Sequence, residues 1–496
     1  MSTFFSKENF PTLSKIPRAA RWTVRKAWKP LLVIIIVLAV AHSIASFILG
    51  HRLKAELSKL KVSGVPMAMT DLGKPKVPDA ENAAFIYARV FEDLTGMVLN
   101  PNGGQPKQES REKNEDMDAI EKLIRAEPDK RTPEIWDAAR KAVAKHRNIL
   151  PLIEAATSRP KCQFPANWED GTNVLFPHLS PMRNTARFLH ANALIEARDG
   201  KMDEAIQSIE LGFKASESIR DEPILIGLLV RLVMSQSASK SLRETLEYGS
   251  ITEAQAKRLY DTLAQIDMYP GLNRAMQGER CFGLWLFDLL YKHPNKLSAL
   301  IDTEENEGPG RAAFRFLTPI LVGIWRPILY ADELTYLKIM DRQSALMRLP
   351  YREMHSQMTA LAAETQHLPR HAILSRIMFP VFFRAAAVRD NAAAEAAGSQ
   401  IFLALQVYKS RHGIYPATLD ELRAGIGWDI PKDVFSNKDF IYKHQGNGFL
   451  LYSVGQNFKD DGAIPSSALP SQLPEGYDYK NINGQQVADI IWQMAD

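Results

Sequence analysis

The feature that most constrains this chain is a run of 21 residues without a charge, from Pro30 to Gly50. Thirteen of those positions are Leu, Ile, Val or Phe, and together they favour bilayer insertion by roughly 4–8 kcal/mol. A helix of that length is about 30 Å long, which matches the hydrocarbon thickness of a bilayer. The run predicts a transmembrane anchor, with the lipid bilayer as a partner through residues 30–50.

The charges around this run predict its orientation. Seven basic residues and one acid precede it in residues 1–29, and such a bias keeps the N-terminus in the cytoplasm. The bulk of the chain is then expected outside the cytoplasm. A cleaved signal peptide is the alternative, with Ser43–Ala45 as its cleavage site, but the apolar run continues past Ala45 through Leu49 and favours an uncleaved anchor.

Composition excludes several other classes of protein. With 46% hydrophobic and 24% charged residues, the chain of 496 residues is neither disordered nor a disulfide scaffold. Its formal net charge is +4, from 61 basic and 57 acidic residues. Because a nucleic-acid interface needs a dominant basic face, no nucleic-acid partner is expected. The two cysteines, Cys162 and Cys281, either pair in an oxidising compartment or stay free.

Sequence patterns divide the chain into five parts. Residues 1–29 are a basic cytoplasmic tail, and residues 30–50 are the anchor. Glycines and prolines recur in residues 51–78, which predicts a stalk and linker. Residues 79–389 predict a helical body, with a helical pattern almost throughout from Ala119 to Arg389 and a polar, turn-rich loop over Asn100–Asp116; residues 390–496 predict a small α+β unit. The fold class is therefore mainly α.

Within the body, Arg187–Glu217 resembles a helical hairpin of the tetratricopeptide kind. Small residues stand at Ala193, Gly200 and Ala205, where that repeat packs its helices closely. The period of 34 residues does not recur upstream or downstream, so the pattern indicates one repeat-like hairpin. Stacked helical hairpins are the predicted architecture of the body. A capping-box pattern at Ser250–Glu253 predicts a further helix start.

The last part of the chain changes character. A helix is predicted over Ala392–His412 and ends at Gly413, and Thr418–Glu421 caps a shorter helix. Two strands, Phe440–Lys443 and Phe449–Val454, flank a turn-forming sequence. A third strand is predicted within 487–492.

Four motifs in this region follow one another in a recognisable order. They are a Gly-x-Tyr-Pro corner at Gly413–Pro416, a Pro-x-Asp-x-x-x-Asn turn at Pro431–Asn437, a Leu-Tyr-Ser-x-Gly strand end at Leu451–Gly455, and Asp489–Ile490. In this order they resemble the major (G-type) pseudopilin of type II secretion. The resemblance covers about a fifth of the chain and implies a helix followed by a β-meander.

The departures from that family limit what the resemblance implies. Pseudopilins begin with a prepilin-peptidase site fused to their transmembrane helix, and no such site stands near residues 30–50. The chain is therefore not expected to be processed and polymerised as a pilin. Its layout also resembles large single-pass bacterial membrane proteins that carry such a domain. That resemblance places it in the bacterial inner (cytoplasmic) membrane and implies no known activity.

The resemblance also implies a calcium site, because the pseudopilin family holds calcium in the loop after the Leu-Tyr-Ser-x-Gly strand. Asp460, Asp461 and Asp489 would supply carboxylates, with Asn457 as a neutral oxygen donor. Two positions depart from the family: Asn457 stands where an aspartate is common, and Ala488 replaces the first residue of an Asp-Asp pair. A solvated turn without calcium is the alternative.

Two functions remain open from the sequence. The first is a non-enzymatic binding or scaffold protein, anchored in the cell envelope, with protein partners there. The second is an envelope enzyme of hydrolase type, with its active site in the helical body near Trp168, His178 and Glu279. A deep pocket lined by convergent titratable groups would favour the enzyme. A Ser-x-x-Lys match at Ser237–Lys240 lacks its companion motifs and predicts a helix surface.

Overall fold

The computed structural model describes residues 18–100, 104–106, 111–292, 309–460, 462–463 and 490–494. This part of the chain is mainly helical and has one small antiparallel sheet. The first seven helices are α1 (Arg18–Val62), α2 (Ala84–Thr95), α3 (Arg111–Arg125), α4 (Pro133–Lys145), α5 (Leu150–Thr157), α6 (Leu179–Arg198) and α7 (Met202–Ser218). The next seven are α8 (Leu225–Thr245), α9 (Glu253–Ala264), α10 (Tyr269–Lys292), α11 (Pro309–Leu346), α12 (Tyr351–Gln366), α13 (Ile373–His412) and α14 (Leu419–Ile426). The strands are β1 (Ile441–Gln445), β2 (Gly448–Ser453) and β3 (Ile490–Met494).

Helix α1 contains the apolar run and continues well beyond it. It has 45 residues, which corresponds to a length of about 68 Å. Among the described residues, it is the one helix long and apolar enough to cross a membrane. Large apolar side chains between Leu31 and Ile48 are 45–77% exposed. Such a surface is covered by lipid in a transmembrane helix.

The far end of α1 is packed onto the body. A β-carbon at Gly50 would lie 3.2 Å from Cε2 of Tyr330 on α11, so the two helices approach closely there. Leu53, one turn later, is buried in the apolar core that α8, α10, α11, α12 and α13 share. The anchor and the body therefore form a continuous packed unit at this end of α1.

The body consists of helices packed on one another, and one pair of them forms a hairpin. The predicted hairpin over Arg187–Glu217 corresponds to α6 and α7, joined by a turn in which Gly200 has a φ of +77°. That left-handed conformation is accessible to glycine without strain. Helix α8 packs on both α6 and α7, and α9 packs on α7; helix α13 packs on α8 and α9 from the other side. The tetratricopeptide character of this hairpin stays a prediction.

The start of α9 lies two residues after its predicted position. Thr252 is the N-cap, because its Oγ1 accepts a hydrogen bond from the Gln255 amide at 3.3 Å and Gln255 Oε1 accepts one from the Thr252 amide at 2.8 Å. The predicted box at Ser250–Glu253 was therefore wrong in register. Ile251 is buried in the core, and its packing holds the preceding residues outside the helix.

The sheet has the order β1-β2-β3 with both pairs antiparallel. Ile441 pairs with Tyr452 across β1 and β2, and Leu451 pairs with Trp492 across β2 and β3. The predicted strands correspond to these three within a few residues. Phe449 and Leu451 of β2 are fully buried and face α13.

Helix α13 links the sheet to the body. It begins at Ile373 rather than at the predicted Ala392, and it runs without a break through residue 390. Its second half packs on α8 and α9, and one core contains Ile401 of α13, Phe213 of α7 and Leu451 of β2. The division of the chain into two domains at residue 390 stays a prediction. In the structure, residues before and after position 390 contribute to the same hydrophobic core.

Candidate functional site

A groove runs along α7, between α5 and α9. It consists of two adjoining cavities of about 450 and 340 Å³ that share Thr157 and Lys214. Helix α7 is its floor and is about 25 Å long, enough for about seven residues of extended chain. We call this feature the polar groove; its charged lining includes Glu154, Arg159, Asp203, Glu210, Lys214 and Arg220.

The amphipathic pattern of α7 produces this floor. Ile206, Ile209 and Phe213 are at most 1% exposed and face the core. Asp203 and Lys214 lie on the opposite face and line the groove. A stripe of apolar residues at helical spacing buries one side of a helix and leaves the other to charged side chains.

Several acids of the polar groove are already neutralised by cations of the same chain. Glu210 forms two ion pairs: its Oε1 lies 2.7 Å from Lys214 Nζ, and its Oε2 lies 2.6 Å from Arg258 Nε. Asp221 lies 2.6 Å from Arg274. These carboxylates therefore add little negative charge for a ligand to meet.

Glu217 is held more firmly, by a buried arginine. Arg231 is 2% exposed and donates from Nε and Nη2 to the two carboxylate oxygens of Glu217, each at 3.0 Å. Burial raises the pKa of Glu217, and the Arg231 charge opposes that rise. A third hydrogen bond, 2.8 Å long, runs from Arg231 Nη2 to the Asp267 carbonyl. The bidentate pair fixes the end of α7 against α8.

One end of the polar groove has cations without such partners. Arg159 and Arg220 are exposed, and in the part of the chain that the structure describes neither guanidinium has a carboxylate within ion-pair distance. Lys161 lies at the same end, 3.6 Å from Glu81. This end is therefore positively charged and open to an anionic group.

The opposite end of the groove is acidic. Glu154 is exposed there and, among the described residues, has no cation within ion-pair distance. Asp203 accepts a hydrogen bond from the neutral amide of Gln255, which leaves its charge in place. The groove thus has a positive and a negative end, and a charged ligand would bind in one direction.

Trp168, predicted to line a cleft, does line a cavity. This cavity of about 380 Å³ lies beside α2, and its walls include Phe85, Leu99 and Phe164. Lys74 also lines it. Trp168 therefore contributes an apolar wall to a mainly apolar space.

His178 and Glu279 have structural partners instead. His178 is 1% exposed, stacks on Phe164 at 4.2 Å between ring centres, and has its Nε2 3.0 Å from Glu222 Oε1. Glu279 accepts a hydrogen bond from the Leu225 amide at 3.0 Å, at the start of α8, and burial raises its pKa. Of the three residues, only Trp168 lines the cavity beside α2, and none of them lines the polar groove.

A buried polar network near Ser237 was not predicted. Glu244 Oε2 accepts a hydrogen bond from Arg131 Nη2 at 2.8 Å and lies 3.2 Å from His190 Nε2. His190 Nδ1 lies 3.3 Å from Ser237 Oγ. Burial opposes ionisation of Glu244, but His190, Lys240 and Arg131 outweigh it and lower its pKa to about 2.

This network holds the end of α3. Arg131 Nε donates to the carbonyls of Leu123 and Ala126, each at 3.1 Å, and Lys240 Nζ donates to the Ile124 carbonyl at 2.9 Å. Helix ends have carbonyls without intrahelical partners, and cations near them are stabilising. Ser237 and Lys240 of the Ser-x-x-Lys pattern therefore belong to a structural network. The sequence signal that could have indicated this network is the i, i+4 spacing of Lys240 and Glu244.

Two of the predicted calcium ligands have protein partners. Asn457 Oδ1 accepts a hydrogen bond from the Lys459 amide at 3.0 Å. Asp460 Oδ1 accepts hydrogen bonds from Tyr452 Oη at 2.8 Å and from the Gly462 amide at 2.9 Å. These bonds hold Asp460 and Asn457 in the loop after β2.

The other two predicted ligands, Asp461 and Asp489, lie outside the described residues. Among the residues that are described, no group of three or more His, Cys, Asp or Glu side chains is arranged to hold a metal ion. The calcium site stays a prediction from the sequence.

The turn before the sheet is held by a buried carboxylate. Asp433 is 1% exposed and accepts hydrogen bonds from Ser453 Oγ at 2.8 Å and from the Phe435 amide at 3.1 Å. Asn437 has a φ of +54°, a conformation that asparagine tolerates better than most residues. The Asp and Asn of the recognised turn motif therefore have clear structural roles.

The two cysteines do not form a disulfide. Cys162 and Cys281 are both free, and Cys281 is buried. Burial raises the pKa of both thiols. A raised pKa keeps a thiol protonated, and a protonated thiol is a weaker nucleophile than a thiolate.

In comparisons with known proteins, no family model matches this chain, and no curated protein or solved structure is similar to it. The pseudopilin resemblance therefore rests on its sequence motifs.

Proposed function

We propose that the protein is a binding protein of the bacterial cell envelope, anchored in the inner membrane by α1 with its bulk outside the cytoplasm. Its helical body binds an extended segment of a protein partner in the polar groove. Acidic residues of that segment lie at the Arg159–Arg220 end. The C-terminal unit is a pseudopilin-like module that supplies a second contact.

The observation that carries this proposal is the continuity of the groove along α7. The two cavities that share Thr157 and Lys214 make an open channel rather than an enclosed pocket. Extended peptides bind to such surfaces with contacts spread along their length. The acids in the middle of the channel are paired within the protein, so the unpaired charges at its ends determine the direction of binding.

A site-specific crosslink tests the proposal. Gln207 lines the groove, and a photoreactive benzoylphenylalanine in its place, in the full-length protein in native membranes, is expected to crosslink one partner protein. Reversing the two free cations, with Arg159→Glu and Arg220→Glu together, is expected to reduce the crosslink about five- to tenfold, because two charge contacts become repulsive.

The matched control is Arg376→Glu, which reverses an exposed cation at the start of α13, outside the groove. It should leave the crosslink unchanged. An equal loss in both variants, or a partner that crosslinks as well from a surface far from the groove, would contradict the proposal.

A further inference from the structure

A further cavity lies where α1 leaves the predicted bilayer. Its volume is about 310 Å³, and Leu53 and Leu57 of α1 line it. They follow Gly50 by three and seven residues, which places them about 5 and 10 Å beyond the apolar run. The headgroup layer is about 5–7 Å thick on each side of the hydrocarbon core. The cavity is therefore expected to open at the level of the lipid headgroups beside Leu53 and to extend just beyond them at Leu57.

Most of the cavity wall is apolar. It is formed by α1, by the segment after α1 and by α10; its apolar residues include Leu53, Leu57, Met67, Met69, Leu284 and Trp285. The volume is within the range of small-molecule sites, and mainly apolar walls with a few polar groups are typical of them.

The charged side chains that line this juxtamembrane cavity are both acids, Asp288 and Glu333. Glu333 is 4% exposed, and its Oε2 accepts a hydrogen bond from Tyr291 Oη at 2.6 Å. Asp288 is half-exposed and pairs with Lys292 at 2.8 Å. A buried carboxyl group in an apolar wall favours a cation beside it and disfavours a phosphate or carboxylate.

We propose that the juxtamembrane cavity binds the primary ammonium group of a bilayer lipid of the phosphatidylethanolamine kind. The ammonium group lies beside Glu333, and the lipid extends along Leu57 and Leu53 towards the hydrocarbon core. The site is separate from the polar groove and does not depend on the partner protein. It would let the body sense or hold a particular lipid at the base of its anchor.

The first experiment uses the full-length protein in detergent at pH 7.5. Thermal unfolding is followed while dodecylamine, dodecanol or dodecanoate is added, so that the headgroup charge changes and the chain does not. Dodecylamine is expected to bind at least about tenfold more tightly than dodecanol, which corresponds to one charge-assisted hydrogen bond. Dodecanoate is expected to bind most weakly.

Glu333→Gln keeps an acceptor for Tyr291 and removes the charge, so the preference for the amine over the alcohol is expected to vanish. Glu353→Gln, at an exposed acid of α12 outside the cavity, should keep it. Equal binding of amine and alcohol by the wild-type protein, or an unchanged preference in Glu333→Gln, would overturn the proposal.

The second experiment identifies the lipid. The protein is placed in nanodiscs that contain equal amounts of phosphatidylethanolamine and phosphatidylcholine. It is then released from the nanodiscs, and native mass spectrometry counts the lipids of each kind that stay bound to it. Retention of the ethanolamine lipid is expected in the wild-type protein. The preference for the ethanolamine lipid should be lost in Leu57→Trp, because the larger side chain on α1 fills the cavity. This variant also provides a test that does not depend on the folding of Glu333→Gln. Equal retention of both lipids would contradict the proposal.

Discussion

Trp492 lies directly against the backbone of Gly398: a β-carbon at position 398 would be 2.2 Å from Cη2 of the indole ring. Trp492 belongs to β3 and is fully buried. Gly398 is in α13, the helix that shares its core with α7, α8 and α9. The contact therefore packs the small sheet closely against a helix of the body, beside the contacts that Phe449 and Leu451 make with the same core.

We expect Gly398→Ala to destabilise the protein. Alanine favours a helix by about 1 kcal/mol over glycine, but a methyl group forced against a fixed, buried ring costs about 1–3 kcal/mol. The clash is expected to dominate because the Trp492 ring has no space to move. Chemical denaturation of the full-length protein in detergent measures the change in the free energy of unfolding.

The same substitution in a Trp492→Leu background is the control. With the ring removed, alanine at position 398 should be neutral or stabilising. If Gly398→Ala unfolds at the wild-type denaturant concentration, the close approach described here does not exist in solution.

How far the sequence predicts this fold depends on how local the signal is. The cap at Thr418 was predicted, and the structure confirms it, since Thr418 Oγ1 accepts a hydrogen bond from the Glu421 amide at 3.2 Å. Gly413 ends α13 with a φ of +79°, also as predicted. Each of these signals lies within a few residues of the structure it specifies.

Contacts between distant parts of the chain were not predictable in the same way. Nothing near Gly398 indicates that Trp492 will cover it, and nothing near Ala392 shows that α13 already began at Ile373. The polar groove was also missed, because its lining comes from three separate helices. The sequence predicted a body of helical hairpins, but it did not indicate which residues would line a groove between the helices.

A second prediction concerns the buried ion pair of Arg389 and Asp390, both fully buried. Arg389 also donates to the Met347 carbonyl at 2.7 Å and to the Leu349 carbonyl at 2.9 Å, while Asp390 accepts from the Tyr351 amide at 2.5 Å. Removing one partner of such a pair leaves an uncompensated buried charge. Asp390→Ala is therefore expected to lower the free energy of unfolding by about 3–5 kcal/mol.

The exposed pair Arg342–Glu364 provides the comparison, since both side chains are 44% exposed. Glu364→Ala should change stability by about 0.5 kcal/mol or less. Urea unfolding of both variants, in the same detergent, measures the difference. Equal effects of Asp390→Ala and Glu364→Ala would mean that the Arg389 network contributes no more than a surface pair.

A third prediction concerns pH and Glu333. Burial raises the pKa of Glu333 to about 7, and the charges of Asp288 and Asp332 act in the same direction, while the hydrogen bond from Tyr291 opposes them. The folded protein therefore binds this proton more tightly than the unfolded chain. The stabilising effect is fully present below the unfolded pKa of about 4.3 and is lost as the pH rises to about 7.

Glu333→Gln has no proton to lose at this site. Relative to this variant, the wild-type protein is expected to lose on the order of 1–3 kcal/mol of stability between pH 5 and pH 8. Melting temperatures at four pH values in that range, without added amine, measure the difference. Glu353→Gln should follow the wild-type curve; parallel curves for wild type and Glu333→Gln would show that the Glu333 pKa is not raised.

The last prediction is calcium binding in the loop after β2. Asp460 is already held near the end of β2 by Tyr452 and by the Gly462 amide. A calcium ion needs several oxygen ligands, and Asp461 and Asp489 are the further carboxylates that the sequence offers. Binding to the folded state alone would stabilise the protein by about 2.7 kcal/mol at a hundredfold excess over Kd.

Thermal unfolding of the full-length protein with calcium and with chelator tests this prediction. Calcium is expected to raise the midpoint in the wild-type protein but not in Asp489→Ala, because the loss of one carboxylate weakens an oxygen site strongly. Magnesium at the same concentration is the control for ionic effects, since it requires a smaller and more regular site. Equal midpoints with calcium and chelator would mean that Asp460 and Asp461 form a solvated turn, in which Asp460 is held by the hydrogen bonds from Tyr452 Oη and the Gly462 amide alone.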